Sequence, residues 1–477
     1  MKTNVSFLLV TFLAVILSCG KSTETIIVQT GPGLFSTQTT PRETVENQKG
    51  ADRFIQLNVG ELEAIETLDP LFAESNSELR TIHLIYDGLT RINQDGEVAP
   101  ALASSWKLSS DSLQYTFQLR TDVYFHNSSK FPSGLGRRFS AKDVEFSFRR
   151  MASVLVPDAA ANKFEQIRGF ENYHLEQTTV KNPAKRTLTG IDGIKVQNDS
   201  TLSIILTRKN SLFLEELAHP HASIYASESL PTEGGPILRP IGTGAFYFAK
   251  QEKNRLILAS NNSYFLKQNL PDRLDIISGL SESELFLAFA KDEVDVLLEL
   301  GPQSILSATD STGQLNNTYK SVYELNISSV KGNYELFYNP KSNQPSARSF
   351  VASLPSTFMD QNGRIGTVTI PTNDGGSTEI NSSPIKVANT TNPFSLYLVN
   401  ELAPQFVENG ITISLNASYA LNNDVALSAR PARNLIPILS WQVPIHLLTK
   451  KGMSGIELVK TPWNIEYDGI ILPPKDE

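Results

Sequence analysis

The chain reads as an α/β protein, and three observations lead there. Residues 53–59, Arg-Phe-Ile-Gln-Leu-Asn-Val, alternate apolar and polar at period two, the signal of a half-buried strand. Residues 75–86 then place Leu79, Ile82, Leu84 and Ile85 in the pattern of a short helix. Strand and helix signals go on interleaving after that. From about Ala51 the composition is that of a globular protein of roughly 425 residues, too many for one core at the usual ~100–200 residues per domain. Two or three domains are expected.

The elements follow in order. After the first strand comes an acidic loop, Glu61 to Glu66, and then Leu68-Asp69-Pro70. Beyond the helix at 75–86, Asn93-Gln94-Asp95-Gly96 is a turn whose glycine supplies a conformation that other residues would strain. Ser109-Ser110-Asp111-Ser112 is a second turn, and the segments on either side, Trp106 to Leu108 and Leu113 to Leu119, read as a hairpin. Trp106, Tyr115 and Phe117 are expected in its core. Ser140 to Met151 predicts a helix, with Ser140 capping the amides near Val144, Asp143 in the first turn and Arg149-Arg150 at the end, all favourable to the helix dipole. The glycines of Gly242-Thr243-Gly244 are expected to supply turn conformations. The segment lacks the Lys-Ser/Thr and the longer spacing of a phosphate loop.

The N-terminus has the order of a signal peptide: Lys2, an apolar run from Phe7 to Leu17 interrupted only by Thr11, then small Ser18 before Cys19. The run is shorter than the ~20 residues of a membrane-spanning helix. Ile16-Leu17-Ser18-Cys19 resembles a bacterial lipobox, in which the cysteine is diacylated and becomes the first residue. The alternative is a general signal peptide with an incidental cysteine. Cys19 is the only cysteine in the chain, so a lipidated Cys19 leaves the rest without a disulfide. Two acyl chains hold a protein stably where one binds marginally. Residues 1–18 are therefore expected to be a signal peptide and residues 19–51, rich in Ser, Thr, Gln and Gly, a lipidated cysteine and flexible tether.

A formal net charge of −8 argues against nucleic acid or an anionic membrane surface as the main partner, because both call for basic patches. Of six histidines only His219-Pro220-His221 forms a close pair, and no cysteine or carboxylate cluster accompanies it. No metal site or cofactor is expected. Neither a Gly-x-Ser-x-Gly elbow nor His-Glu-x-x-His is present, so no catalytic constellation supports an enzyme.

One ordered series of segments is specific. It comprises Leu68-Asp69-Pro70-Leu71, Ile85-Tyr86-Asp87-Gly88-Leu89-Thr90-Arg91, Asp95 to Trp106, Tyr115 to Val123, Phe125-His126 and Phe139 to Ser147. It continues with Pro240 to Phe246, Asn261-Asn262-Ser263-Tyr264-Phe265 and Asp292-Glu293-Val294-Asp295-Val296, with weaker matches beyond residue 300. In that order they resemble family-5 extracellular solute-binding proteins, the substrate receptors of peptide and nickel ABC importers. The resemblance implies a two-lobed periplasmic-binding-protein type II fold, closing on a ligand like a clamp and carrying an extra inserted domain. Mapped here, it implies a discontinuous first lobe of residues 52–87, 187–332 and 436–477, an inserted domain at 88–186 and a second lobe at 333–435. The hinge would fall near Gly332 to Phe337 and Asn434 to Ile436.

The chain departs from the family where ligands are gripped. Asp424-Val425-Ala426-Leu427 matches a family strand, yet only eight residues separate Leu427 from Ile436, whereas most relatives carry a longer segment. That segment includes an aspartate for the peptide's α-amino group, which has no counterpart here. A buried ammonium without it would lack a partner. The second lobe is therefore expected to be shortened.

Candidate ligand-binding residues are Glu61 and Glu63 in the acidic loop, Arg430 and Arg433 in the shortened segment, where a guanidinium suits a carboxylate, and Trp441, which either stacks on a ligand or fills the core. A solvated loop and solvent-facing arginines are the alternatives. Two functions follow. The first is a monomeric, lipid-anchored receptor on the periplasmic face of a bacterial membrane, delivering a small peptide or similar small-molecule solute to ABC permease subunits. The second is a degenerate family member acting as a structural or protein-interaction lipoprotein.

Overall fold

The computed structural model describes residues 54–153, 158–231, 235–338, 365, 367–369, 385–388, 392–408, 413–416, 425–428 and 436–473. Cys19, the tether, Arg430 and Arg433 lie outside them. The mixed α/β architecture is built on an eleven-stranded sheet. The alternating stretch at 53–59 forms its strand Gln56–Gly60, parallel to Arg273–Ile277 on one side and Val296–Leu297 on the other. Leu57 and Val59 point into a core and are at most 1% exposed, as period two requires.

Two long antiparallel strands, Tyr323–Tyr338 and Ile436–Lys450, run through the middle of this sheet. On the far side of Ile436–Lys450, one end pairs with Val296–Leu297 and the other with Thr367–Thr369. Tyr323–Tyr338 in turn pairs with Val425–Ser428, which leads through Ile385–Ala388 to Ile413–Asn416. The long pair thus links two groups of strands, each paired to a different half of it. Its register slips twice, between Leu336 and Phe337 and, nearer the middle, where Ile327 opposes His446 and the next pair is Lys331 with Pro444. The first strand carries two more residues than its partner there, which locally bends and twists a ladder.

A four-stranded antiparallel sheet stands apart, in the order Ala103–Leu108, Gln114–Leu119, Thr201–Ile205, Ile194–Asn198. Its first two strands are the expected hairpin. Tyr115 and Phe117 are buried in the core and Trp106 packs against it partly buried. The sheet takes its other two strands from beyond residue 186, so the expected inserted domain shares a sheet with residues 194–205.

Local chemistry explains the helices. Helix Asn76–Ile85 begins with a full capping box: Ser75 Oγ accepts from the Glu78 amide and the Glu78 carboxylate accepts from the Ser75 amide, both at 3.1 Å. Glu78 also accepts from the amides of Glu66, Thr67 and Glu74 at 2.8–3.1 Å, which ties the preceding loop to the helix start. Helix Ala141–Met151 opens at the expected Ser140 in a second capping box, with the Ser140 amide and hydroxyl both donating to Asp143 Oδ2 at 2.9 and 3.0 Å. Arg137 holds the same carboxylate at 2.6 Å. Asp69 of the Leu-Asp-Pro segment is fully buried, paired with Arg150 at 2.5 Å and accepting from the Leu71 and Ile237 amides.

The Gly-Thr-Gly segment also corrects its expectation. Gly96 has the predicted positive φ of 77°, but Gly242 and Gly244 are not among the positive-φ residues. They are required by close approach. A Cβ on Gly242 would stand 2.0 Å from the Ile85 carbonyl oxygen, and one on Gly244 2.5 Å from the Ile85 carbonyl carbon. The Gly244 amide uses this proximity to donate to the Ile85 carbonyl at 2.9 Å, docking the segment on the end of helix Asn76–Ile85.

Gly244→Ala is expected to force backbone apart from backbone and to destabilise the fold by about 1–3 kcal/mol. Thermal unfolding of the variant beside the parent measures it, and an unchanged melting temperature would show that the close approach tolerates a methyl group.

Candidate functional site

The acidic loop leaves strand Gln56–Gly60 and meets the junction of the two strand groups. Glu61 is buried rather than solvated, because Arg80, one turn into helix Asn76–Ile85, reaches it. Arg80 Nε donates to both Glu61 oxygens at 2.9 and 3.1 Å and Nη2 donates to Oε2 at 2.5 Å. The same Nη2 lies 3.2 Å from Glu299, just past strand Val296–Leu297, and Nη1 donates to the Pro462 carbonyl at 3.0 Å. Arg80 is 1% exposed. Burial opposes its charge, yet Glu61 and Glu299 hold its pKa above the usual arginine value. Burial raises the Glu299 pKa, and Arg80 offsets part of that rise.

Glu63, two residues on and half-buried, faces a different partner. Its Oε1 accepts from Asn392 Nδ2 at 2.7 Å, a contact between residues 329 positions apart. Asn392 sits at the start of helix Pro393–Glu408, where its Oδ1 accepts from the Ser395 amide at 2.9 Å. Glu63 therefore bonds the side chain that caps a helix of the second strand group. Burial first, and repulsion from Glu299 second, push the Glu63 pKa from 4.5 up to about 7.

Aromatic residues wall this junction. Trp441 is fully buried on strand Ile436–Lys450, with ring centroids 5.9–6.0 Å from Tyr334, Phe394 and Tyr397. Tyr334 and Phe394 stack at 5.0 Å, and the Tyr334 hydroxyl donates to Glu299 at 3.4 Å. Such ring pairs add about 0.5–1.5 kcal/mol each beyond area burial. The Trp441 indole N–H is buried without a hydrogen-bond partner. The apolar core here contains Leu62, Leu297 and Val443 together with Ile365, Phe394 and Leu398, so it is continuous from one strand group to the other.

Of the candidate residues, the structure brings Glu61, Glu63 and Trp441 to one junction. Glu61 is an ion-pair partner inside it, Glu63 bridges it, and Trp441 packs it. Sequence reasoning missed Arg80, Glu299, Tyr334 and Asn392. One signal for Arg80 was available: it lies four residues before Leu84 within the apolar stretch of its helix, and an arginine on a buried stripe implies a buried partner. His219 and His221 face each other and the C-terminal segment instead, with His221 Nε2 3.0 Å from the Ala73 carbonyl and the His219 ring edge-on to Trp463.

This architecture is that of the two-lobed periplasmic binding proteins. Haemophilus influenzae OppA in complex with the peptide RPPGFSPFR superposes with a TM-score of 0.68 at 16% identity, over 87% of this chain and 99% of that one. Helicobacter pylori DppA in complex with the peptide STSA gives 0.66 at 15% identity, over 87% and 99%. A model of the bacterial extracellular solute-binding proteins, family 5 (middle region), matches residues 97–354, more than half of the chain, and the chain belongs to that family. Among curated relatives, di/tripeptide-binding protein 2 of Pseudomonas aeruginosa is 28% identical over 291 residues, 58% of this chain and 51% of that protein. Heme-binding protein A of Haemophilus influenzae is 31% identical over 214 residues, 43% of this chain and 36% of that protein. The dipeptide-binding protein of Escherichia coli is 32% identical over 167 residues, 34% and 28%. The matched stretches thus span about half or less of these relatives.

Arg80→Met would leave Glu61 and Glu299 buried without their cation. A loss of about 3–5 kcal/mol is expected, the range for breaking one side of a buried pair. The orphaned carboxylates would take up protons in the folded state, so the loss should be smaller at pH 5 than at pH 8. Denaturant unfolding at the two pH values checks both statements, and equal losses would show that these carboxylates do not carry the effect.

Proposed function

We propose that this chain is the substrate receptor of an ABC importer. It holds a small peptide or related solute between its two lobes, where Glu63 meets Asn392, and hands it to permease subunits. The observation that carries the reading is that junction: polar side chains from distant segments converge against an aromatic wall where the two strand groups meet. The ligands named for the relatives and structural neighbours, mostly peptides, favour the same solute class. Lobe one would be residues 52–87, 187–332 and 436–477, with 333–435 as lobe two. Because residues 194–205 complete the four-stranded sheet, we move residues 187–206 out of lobe one and into the inserted domain, leaving 207–332 in the lobe. The bend between lobes is assigned to the register slip between Ile327 and Lys331, since irregular pairing is where a ladder flexes with least loss of hydrogen bonds. Closure on ligand would then set the two lobe faces in the arrangement a permease reads.

Cys19, following its apolar run, would carry the lipid that holds a monomeric receptor at the periplasmic face of the membrane. Among the described residues no helix is long and apolar enough to cross a bilayer. Arg430 and Arg433 remain candidates for a ligand carboxylate. One observation favours the second reading, a non-transport lipoprotein: the short span between Leu427 and Ile436, where the resemblance calls for an ammonium-binding aspartate.

Native mass spectrometry of the chain purified from bacterial membranes without denaturation tests the proposal. A small mass that leaves on unfolding is expected. Di- and tripeptides at 100 times their Kd should add about 2.7 kcal/mol of stability. An empty protein whose melting temperature no peptide raises would reject the receptor reading in favour of the second.

A further inference from the structure

We propose that the Glu63–Asn392 hydrogen bond is a proton-linked latch between the lobes, so that taking up one proton at Glu63 favours the closed arrangement and losing it favours the open one. The proposal rests on the lobe assignment above and deepens it by naming a regulation of that same junction.

The geometry comes first. Glu63 accepts a short hydrogen bond, at 2.7 Å, from Asn392, the cap of helix Pro393–Glu408. Opening the lobes would break it and hydrate both groups. The groups that face Glu63 are then decisive. Its own loop supplies Glu61; helix Asn76–Ile85 supplies Arg80, Glu78 and the Ser77 hydroxyl, which accepts from the Glu63 amide at 3.3 Å. Glu299 comes from beyond strand Val296–Leu297, and strand Tyr323–Tyr338 supplies Tyr334, which packs on Phe394. The Arg80 guanidinium is the only cation in this set, and its strongest bonds already go to Glu61. A charged Glu63 is therefore one carboxylate too many, half-buried and facing Glu299.

The sign follows. In the closed arrangement burial raises the Glu63 pKa to about 7, whereas an open, hydrated glutamate titrates near its ordinary value of about 4.3. The closed form thus binds the proton more tightly. Between those values the closed-to-open ratio falls up to about tenfold for each unit that pH rises. A protonated Glu63 keeps a carbonyl oxygen for Asn392 Nδ2, so the bond itself survives protonation while the repulsion does not.

Two spin labels placed by Lys291→Cys and Glu401→Cys, both at exposed positions, report closure in the full chain purified from membranes and freed of ligand. The interlabel distance distribution is expected to shift toward longer distances from pH 5.5 to pH 8.5. Glu63→Gln, which is permanently neutral and nearly isosteric, should hold the short distance throughout. A distribution that does not move with pH, or a Glu63→Gln variant that keeps the parent's pH dependence, overturns the proposal. Should that variant fail to fold, Glu299→Gln serves: removing its charge should lower the midpoint, and an unmoved midpoint likewise overturns the proposal. No ligand enters this measurement, so its failure leaves the receptor reading standing, whereas failure of the co-purification experiment does not touch the pH response.

Discussion

A single buried guanidinium organises the lobe junction. Arg80 reaches the loop after the first strand, the segment after residue 297 and the carbonyl of Pro462, three parts of the chain that nothing in sequence brings together. Removing a guanidinium from water costs several kcal/mol, so the position is tolerable only if every strong donor finds an acceptor. That requirement fixes where Glu61 and Glu299 must stand. Once they stand there, the loop direction is set, and Glu63 is carried to the helix of the second strand group. Polar constraint and apolar packing act on the same residues: Leu62, between the two glutamates, is part of the core that holds Trp441.

What the sequence disclosed and what it hid divide by range. Alternation in residues 53–59, the apolar pattern of residues 75–86 and the hairpin around Ser109 to Ser112 all depend on neighbours within a few residues, and the strand, helix and hairpin appear at or within a few residues of those positions. The resemblance carried the two-lobed architecture, which no local pattern contains. The junction chemistry was harder to read. Glu61 and Glu63 look alike in a run of acidic loop residues, yet one is neutralised from 19 residues away and the other is capped from 329 away. Gly242 and Gly244 misled for a related reason: a glycine states that space or torsion is restricted, without saying which, and here the restriction was the backbone of Ile85.

The pairing pattern also bears on how the two strand groups are joined. Strand Ile436–Lys450 belongs to both groups, and the core around Trp441 is continuous across them. A change at the junction therefore meets a stiff covalent element on each side of the register slip between Ile327 and Lys331.

The same strand has a consequence for how the chain acquires its structure. The core built on Gln56–Gly60 and helix Asn76–Ile85 is completed by Leu447, Met453, Val459, Trp463, Ile465, Tyr467 and Ile470. That core is thus closed only by residues several hundred positions further along the chain. Pairings of such sequence separation form slowly, because a long loop must close before any contact rewards it. Until residues beyond 446 join it, the face built on Gln56–Gly60 and helix Asn76–Ile85 keeps part of its apolar surface uncovered.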